Sequence, residues 1–157
     1  MKKVEEFMNK NVVYLSPDDN IFDAAKKLCK SDIAGAPVVK DDKVVGIISI
    51  SDIIKFIDIK MGKLPKVEFP GLSWVFLALI KMQKLHMDLR KELEKATRSK
   101  VREVMSKNVI TASPSMSLIE AANLMEKHDI NRLPVVIDGK LVGIVARADL
   151  IRALVSD

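Results

Sequence analysis

Hydrophobic positions in this chain follow two different periods, and the periods alternate in the same order twice. Apolar residues recur at Ile21, Ala24, Ala25 and Leu28, the spacing of one buried helix face, and again at Leu118, Ala121, Ala122 and Met125. Short apolar runs follow each helix. Ala36 to Val39 and Val44 to Ile50 flank Asp41-Asp42, whereas Leu133 to Ile137 and Leu141 to Ala146 flank Asp138-Gly139. Runs of this length around a two-residue break predict β-hairpins. Further on, Ile53, Ile54 and Ile57, and then Leu150, Ile151 and Leu154, predict a second amphipathic helix in each half, opening at Ser51-Asp52 and Ala148-Asp149. Ahead of each first helix, Val12-Val13-Tyr14-Leu15 and Val109-Ile110-Thr111-Ala112 are β-prone, and both stop at Ser-Pro. Each half therefore reads β-α-β-β-α.

The two halves align without a gap at an offset of 97 residues. Val4 to Ile57 lies over Val101 to Leu154 with 23 identities in 54 positions, so the chain is an internal duplication. One copy of this size encloses little core by itself. The predicted architecture is therefore α/β (α+β), with two repeats packed sheet to sheet about a pseudo-twofold axis. Residues 1–57 form the first repeat, 58–100 an insert and 101–157 the second. The clefts expected between the repeats are the natural places for a ligand.

The insert has its own pattern. Gly62, Pro65 and Pro70 among lysines read as a loop. Val75, Leu79, Met82, His86, Leu89, Leu93 and Ala96 then recur at alternating spacings of four and three, a heptad seam widened by Phe76 and Leu85. Such a long helix could close the core of its own chain or pair with its equivalent in a second subunit, with Trp74 and Phe76 as anchors. Its length exceeds what a crossover needs and favours a homodimer.

Charge changes the picture only in that insert. Residues 58–100 carry 10 basic and 5 acidic side chains, whereas each repeat is balanced, so the insert accounts for the whole net charge of +5. Lys81, Lys84, Arg90 and Lys91 there could attract nucleic acid or an acidic protein. Aromatic residues are only 4% of the chain, which argues against a stacking platform for single strands.

With 48% hydrophobic and 30% charged residues, the composition is that of a soluble globular protein. Cys29 is the lone cysteine and reads as a packed helix residue, which fits a reducing, cytoplasmic compartment. No signal peptide is expected, and no apolar run reaches the ~20 residues of a membrane span. His86 and His128 are isolated, no cysteine–histidine cluster has metal-ligand spacing, and neither a phosphate loop nor a nucleophile motif occurs. The chain is expected not to be an enzyme and to need no cofactor or metal.

The ordered elements, together with Gly46-Ile47-Ile48-Ser49-Ile50-Ser51-Asp52 and Gly143-Ile144-Val145-Ala146-Arg147-Ala148-Asp149, resemble the CBS domain, named after cystathionine β-synthase. The tandem pair resembles the Bateman module. That resemblance implies a regulatory module that binds AMP, ADP, ATP or S-adenosylmethionine in a cleft between two repeats. It also implies that Asp52 and Asp149 accept hydrogen bonds from ribose hydroxyls. Val12, Val13 and Tyr14 with Ala36 and Pro37 would line one base pocket, and Val109, Ile110 and Thr111 with Leu133 and Pro134 the other. Ser49 matches the small hydroxyl position of the motif, whereas Ala146 departs from it and weakens the second site. Arg132 corresponds to the family's phosphate-contacting stretch, and Arg147 stands beside the ribose position. Gly35 and Ile50 occupy the corresponding places in the first copy, so the two sites differ in charge.

Local roles compete with these assignments. Asp52 and Asp149 could serve only to cap their helices, worth ~1 kcal/mol each. Gly46 and Gly143 could serve only close packing, and the arginines only surface ion pairs. The duplication favours an adenosyl-ligand sensor, acting on an unknown protein target. A nucleic-acid-associated or scaffolding protein working through the basic insert is the alternative.

Overall fold

A computed structural model of the chain describes residues 1–61, 91, 95 and 98–156. The first copy contains helix α1 (Val4–Phe7), helix α2 (Ile21–Lys30), strands β1 (Gly35–Lys40) and β2 (Lys43–Ser49), and helix α3 (Ile50–Met61). The second contains α4 (Val101–Val104), α5 (Leu118–Lys127), β3 (Arg132–Ile137), β4 (Lys140–Ala146) and α6 (Arg147–Val155). This is the mixed helix-and-strand class expected from the periodicities. The heptad seam of the insert, with the basic residues Lys81, Lys84 and Arg90 and the dimer contact expected of it, lies outside the described residues.

Local chemistry explains where the elements begin and end. Asn20 caps α2 by accepting from the Asp23 amide at 2.7 Å. Ser117 caps α5 reciprocally: its Oγ accepts from the Glu120 amide at 3.2 Å, and Glu120 Oε2 accepts from the Ser117 amide at 2.9 Å. Both helices then run into an aspartate with positive φ, Asp32 at 51° and Asp129 at 50°. Aspartate tolerates that region better than most residues, so these positions stop the helices without glycine. Both hairpins turn through two residues of positive φ, Asp41 and Asp42 in the first and Asp138 and Gly139 in the second. That is the turn matching the twist of the strands it joins.

The four strands lie in the order β1-β2-β4-β3. β3 and β4 pair antiparallel from Arg132 opposite Ala146 to Ile137 opposite Lys140, with an irregularity between Val135 and Val136. The β-prone runs ahead of the helices contribute single parallel bridges rather than strands, Leu15 to Val38 and Ala112 to Val135. In the first run the next amide, that of Ser16, is taken by Asp19 Oδ2 at 2.8 Å, and Pro17 has no amide hydrogen to extend the ladder.

Chain neighbours and spatial neighbours differ. One compact unit holds Met1–Val13, Val39–Val45 and Asn108–Asp157, and the other holds Tyr14–Val38 and Gly46–Lys107. The short segment that leads into each repeat is thus exchanged. In the first unit the Val4 amide donates to Met116 O at 2.9 Å, and Asn9 and Ile144 exchange amide bonds of 2.8 and 3.0 Å. In the second unit Val101 donates to Asp19 O at 2.8 Å, and Ser106 and Ile47 exchange bonds of 2.9 and 3.0 Å. The motif glycines are the seats for these leaders. A Cβ on Gly143 would stand 2.5 Å from Met8 Sδ and 3.2 Å from the Asn9 carbonyl oxygen. On Gly46 it would stand 2.4 Å from Met105 Sδ and 3.1 Å from the Ser106 carbonyl oxygen.

Each unit has its own core. Val4, Ala112, Ala121, Met125, Leu133, Val135 and Val145 form that of the first, with Met8 and Leu150 packed against it. Leu15, Ile21, Leu28, Val38, Ile48, Ile53 and Val101 are among the fully buried side chains of the second. The apolar face expected for α3 holds at Ile53 and Ile57, both buried. That of α6 turns differently: Ile151 and Leu154 are 62% and 84% exposed, while Asp149 and Ala153, four residues apart, face inward. Lys2 Nζ donates to Ala153 O at 2.7 Å and to Ser156 O at the end of the same helix, a cation on terminal carbonyls.

Gly143→Ala and Gly46→Ala should each lower stability by about 1–3 kcal/mol, because the methyl meets a methionine and a main-chain oxygen. In urea titrations, pairing Gly143→Ala with Met8→Ala should recover part of that loss rather than add to it. Strict additivity would mean that the Met8 contact does not limit the site. A second expectation concerns pH. Hydrogen bonds from the Ser117 amide and hydroxyl hold the Glu120 carboxyl below its ordinary value. Its contribution to stability is therefore full above the unfolded-state carboxylate range and is lost as pH falls through the depressed folded value. Denaturant midpoints followed down through that range should show a smaller acid-side decline in Glu120→Gln than in the parent chain.

Candidate functional site

The two strand-to-helix junctions carry the predicted ribose residues. In the first, the Ile50 amide donates to Ala34 O at 2.8 Å, tying the start of α3 to the residue before β1. The Leu15 amide donates to Pro37 O at 3.0 Å, which brings Tyr14 to the same region. In the second, Arg147 donates to Asn131 O at 3.0 Å and Ala112 to Pro134 O at 2.9 Å. The same four backbone positions thus assemble both junctions.

Ser49 and Asp52 are a reciprocal cap. Asp52 Oδ2 accepts from the Ser49 amide at 2.9 Å, and Ser49 Oγ accepts from the Asp52 amide at 3.2 Å. The cap holds the half-buried carboxylate in one orientation and uses only one of its oxygens; among the described residues Oδ1 takes no hydrogen bond. In the second junction Asp149 Oδ2 accepts from the Ala146 amide at 2.7 Å, but Ala146 has no side-chain acceptor to return. Asp149 is 6% exposed, and its Oδ1 accepts from Arg152 Nη2. Capping and ligand binding are therefore compatible at Asp52, whereas both oxygens of Asp149 are occupied.

The arginines take different places. Arg132 stands directly across the ladder from Ala146, on the same face of the sheet pair. It is half-buried, burial pushes its guanidinium below the ordinary value, and among the described residues it has no acidic or hydrogen-bonding partner. Such a group is suited to an oxyanion from outside the chain. Arg147 instead turns to the end of α5, donating to Ile130 O at 3.3 Å and Met125 O at 3.5 Å, with Glu126 at 3.9 Å.

Of the residues expected to line base pockets, Tyr14 is 52% exposed, with the Lys27 ammonium 5.5 Å from its ring centroid and bonded to its carbonyl at 2.7 Å. Thr111, Val109 and Ile110 are half-buried, as are Val12 and Val13. Pro37 and Pro134 are buried. Ala36 and Leu133 are 0% exposed, so their side chains belong to the core and only their backbones could meet a ligand. Val12 and Val13 fall in the first unit, whereas Tyr14, Ala36, Pro37, Ser49 and Asp52 fall in the second. The second set, from Val109 to Asp149, lies wholly in the first unit.

Arg152 was not among the expected site residues, although its spacing of three from Asp149 on one helix was a readable signal. A cavity of about 290 Å³ in the first unit, lined by Met1, Leu118, Ile119, Leu150 and Leu154, contains no candidate side chain and is apolar. No metal-binding group occurs among the described residues, and none of their helices is long and apolar enough to cross a membrane. Burial raises the Cys29 thiol above its ordinary value, in keeping with a packed rather than reactive cysteine.

The CBS domain family model matches residues 4–59 and 101–156, the two copies found by internal alignment. The chain belongs to the CBS domain family. The uncharacterised protein MJ1426 of Methanocaldococcus jannaschii is 42% identical over 154 residues, covering 97% of this chain and 90% of that protein. The next three curated relatives are longer, and the chain spans between 39% and 46% of them. Among solved structures, CBSX2 in complex with AMP superposes with a TM-score of 0.70 at 26% identity, covering 98% of this chain and 96% of that one. The CBS pair of MJ0100 in complex with 5-methylthioadenosine and S-adenosylmethionine gives 0.69 at 26%, with 98% and 96% covered.

The two caps make opposite expectations for stability. Ser49→Ala should cost about 1 kcal/mol, and Ala146→Ser should gain a few tenths to 1 kcal/mol by restoring the missing acceptor. Thermal unfolding of the two variants against the parent chain checks both signs.

Proposed function

We propose that this chain is a regulatory module that binds an adenosine-containing ligand, with AMP, ADP, ATP and S-adenosylmethionine as the candidates. The observation that carries the reading is the carboxylate of Asp52, oriented by Ser49 through one oxygen and, among the described residues, open at the other. A carboxylate so placed at the end of a strand accepts ribose hydroxyls as acidic residues do in other nucleotide folds. AMP, 5-methylthioadenosine and S-adenosylmethionine on the similar CBS pairs support the same ligand class. The second junction adds Arg132, whose guanidinium has no partner among the described residues and favours a phosphate-bearing ligand there over a sulfonium.

The chain acts as a sensor rather than a catalyst in this reading. Ligand affinity that differs between conformations shifts their populations, and a protein target reads the shift. The homodimer expected from the insert is one element through which such a shift could be transmitted.

Isothermal titration with AMP, ATP, S-adenosylmethionine and adenosine should give micromolar binding for at least one of them. Asp52→Ala should weaken the tightest event by about tenfold or more, the loss of a charge-assisted hydrogen bond. Arg132→Ala should weaken AMP more than adenosine. No heat and no thermal shift with any of the four ligands would falsify the proposal.

A further inference from the structure

The repeats are equivalent by sequence, yet their acidic residues are not in equivalent states. Asp52 keeps Oδ1 without a hydrogen bond among the described residues, and the residue three positions on, Lys55, is exposed and makes no ion pair with it. Asp149 is nearly buried, Oδ2 is committed to the Ala146 amide, and Oδ1 is committed to Arg152, the counterpart of Lys55. A ribose hydroxyl reaching Asp149 must therefore displace a cation that Asp52 lacks among the described residues.

We propose that Arg152 is an internal competitor that latches Asp149, so that the two junctions bind a ribose-containing ligand in order, Asp52 first and Asp149 second. The inference rests on the adenosyl-ligand reading above. Arg152 is suited to a latch that opens: its side chain is 74% exposed, while that of its partner is only 8% exposed. An ion pair with one arm in water is weak enough for a ligand to displace. Its planar fork can then turn outward, where a ligand phosphate would be a new partner. Lysine in the first copy carries the same charge on a more strongly hydrated head with no planar fork, in keeping with the absence of a Lys55–Asp52 ion pair among the described residues.

The test measures the second junction alone. In an Asp52→Ala background, adenosine binding should tighten about three- to tenfold on Arg152→Gln, the upper figure corresponding to about 1.4 kcal/mol. Adenosine is uncharged, so a salt effect on its binding reports on the ion pair it must break. Raising ionic strength should strengthen adenosine binding in the Asp52→Ala chain and lose that effect once Arg152 is replaced. The converse change, Lys55→Arg in the otherwise unaltered chain, should weaken the first event. Unchanged or weaker adenosine binding on Arg152→Gln overturns the latch while leaving the ligand reading intact. Absence of all binding in the parent chain overturns both.

Discussion

The contact between a methionine and a glycine in the opposite repeat is the constraint on which the rest of this structure depends. Met8 lies on Gly143 and Met105 on Gly46, so closely that a single added methyl meets both sulfur and main-chain oxygen. The glycines are therefore not there for conformational freedom. They let a leader segment pair its backbone with a strand that already has a partner on one side. The exchange of Met1–Val13 and the segment ending at Lys107 between units follows from that seat. It also places the start of each motif under a leader and its end at a helix, with the candidate acid at the junction.

At those junctions the cap and the candidate ligand site are one device. A helix opening in the middle of a strand-to-helix turn has unsatisfied amides, and an acidic residue in its first turn relieves one of them. Asp52 and Asp149 both do this with Oδ2. The other oxygen is where the copies part: among the described residues it is open in one and paired with Arg152 in the other. Ser49 and Ala146 add to the inequality, since only the first helix receives a hydroxyl cap. The charge asymmetry expected between the copies is thus present, but it acts differently from the expectation. Arg132 is a half-buried cation without a partner among the described residues, Arg147 secures the end of α5, and Arg152 pairs with Asp149.

Much of this was legible in order along the chain. An ungapped offset of 97 with periods of helix and strand in register defines the duplication, both hairpins, the two longer helices of each copy and the paired aspartates before any tertiary contact is considered; the short α1 and α4 carry no such period. The capping role expected of Asp52 is present but shared: α3 opens at Ile50, earlier than expected, and Ser49 and Asp52 cap it reciprocally over a single turn. The apolar stripe of α6 is a poorer guide: Ile151 and Leu154 are apolar but exposed, since a stripe marks what can be buried and not what is available to cover it.

The amino-acid sequence by itself determined the repeat, the order of helix, hairpin and helix in each copy, the turn residues and the positions of the candidate acids, because each depends on neighbours within a few residues. Only the tertiary structure decided which repeat each leader serves, since two near-identical seats satisfy one pattern equally well. It also decided that Ala36 and Leu133 face the core, that Arg147 turns to a helix end and that Asp149 is paired. The burial of Ala36 and Leu133 and the turn of Arg147 depend on partners brought together from elsewhere in the chain, whereas the Asp149 pair is local, one of several partners that a spacing of three allows and that only packing selects.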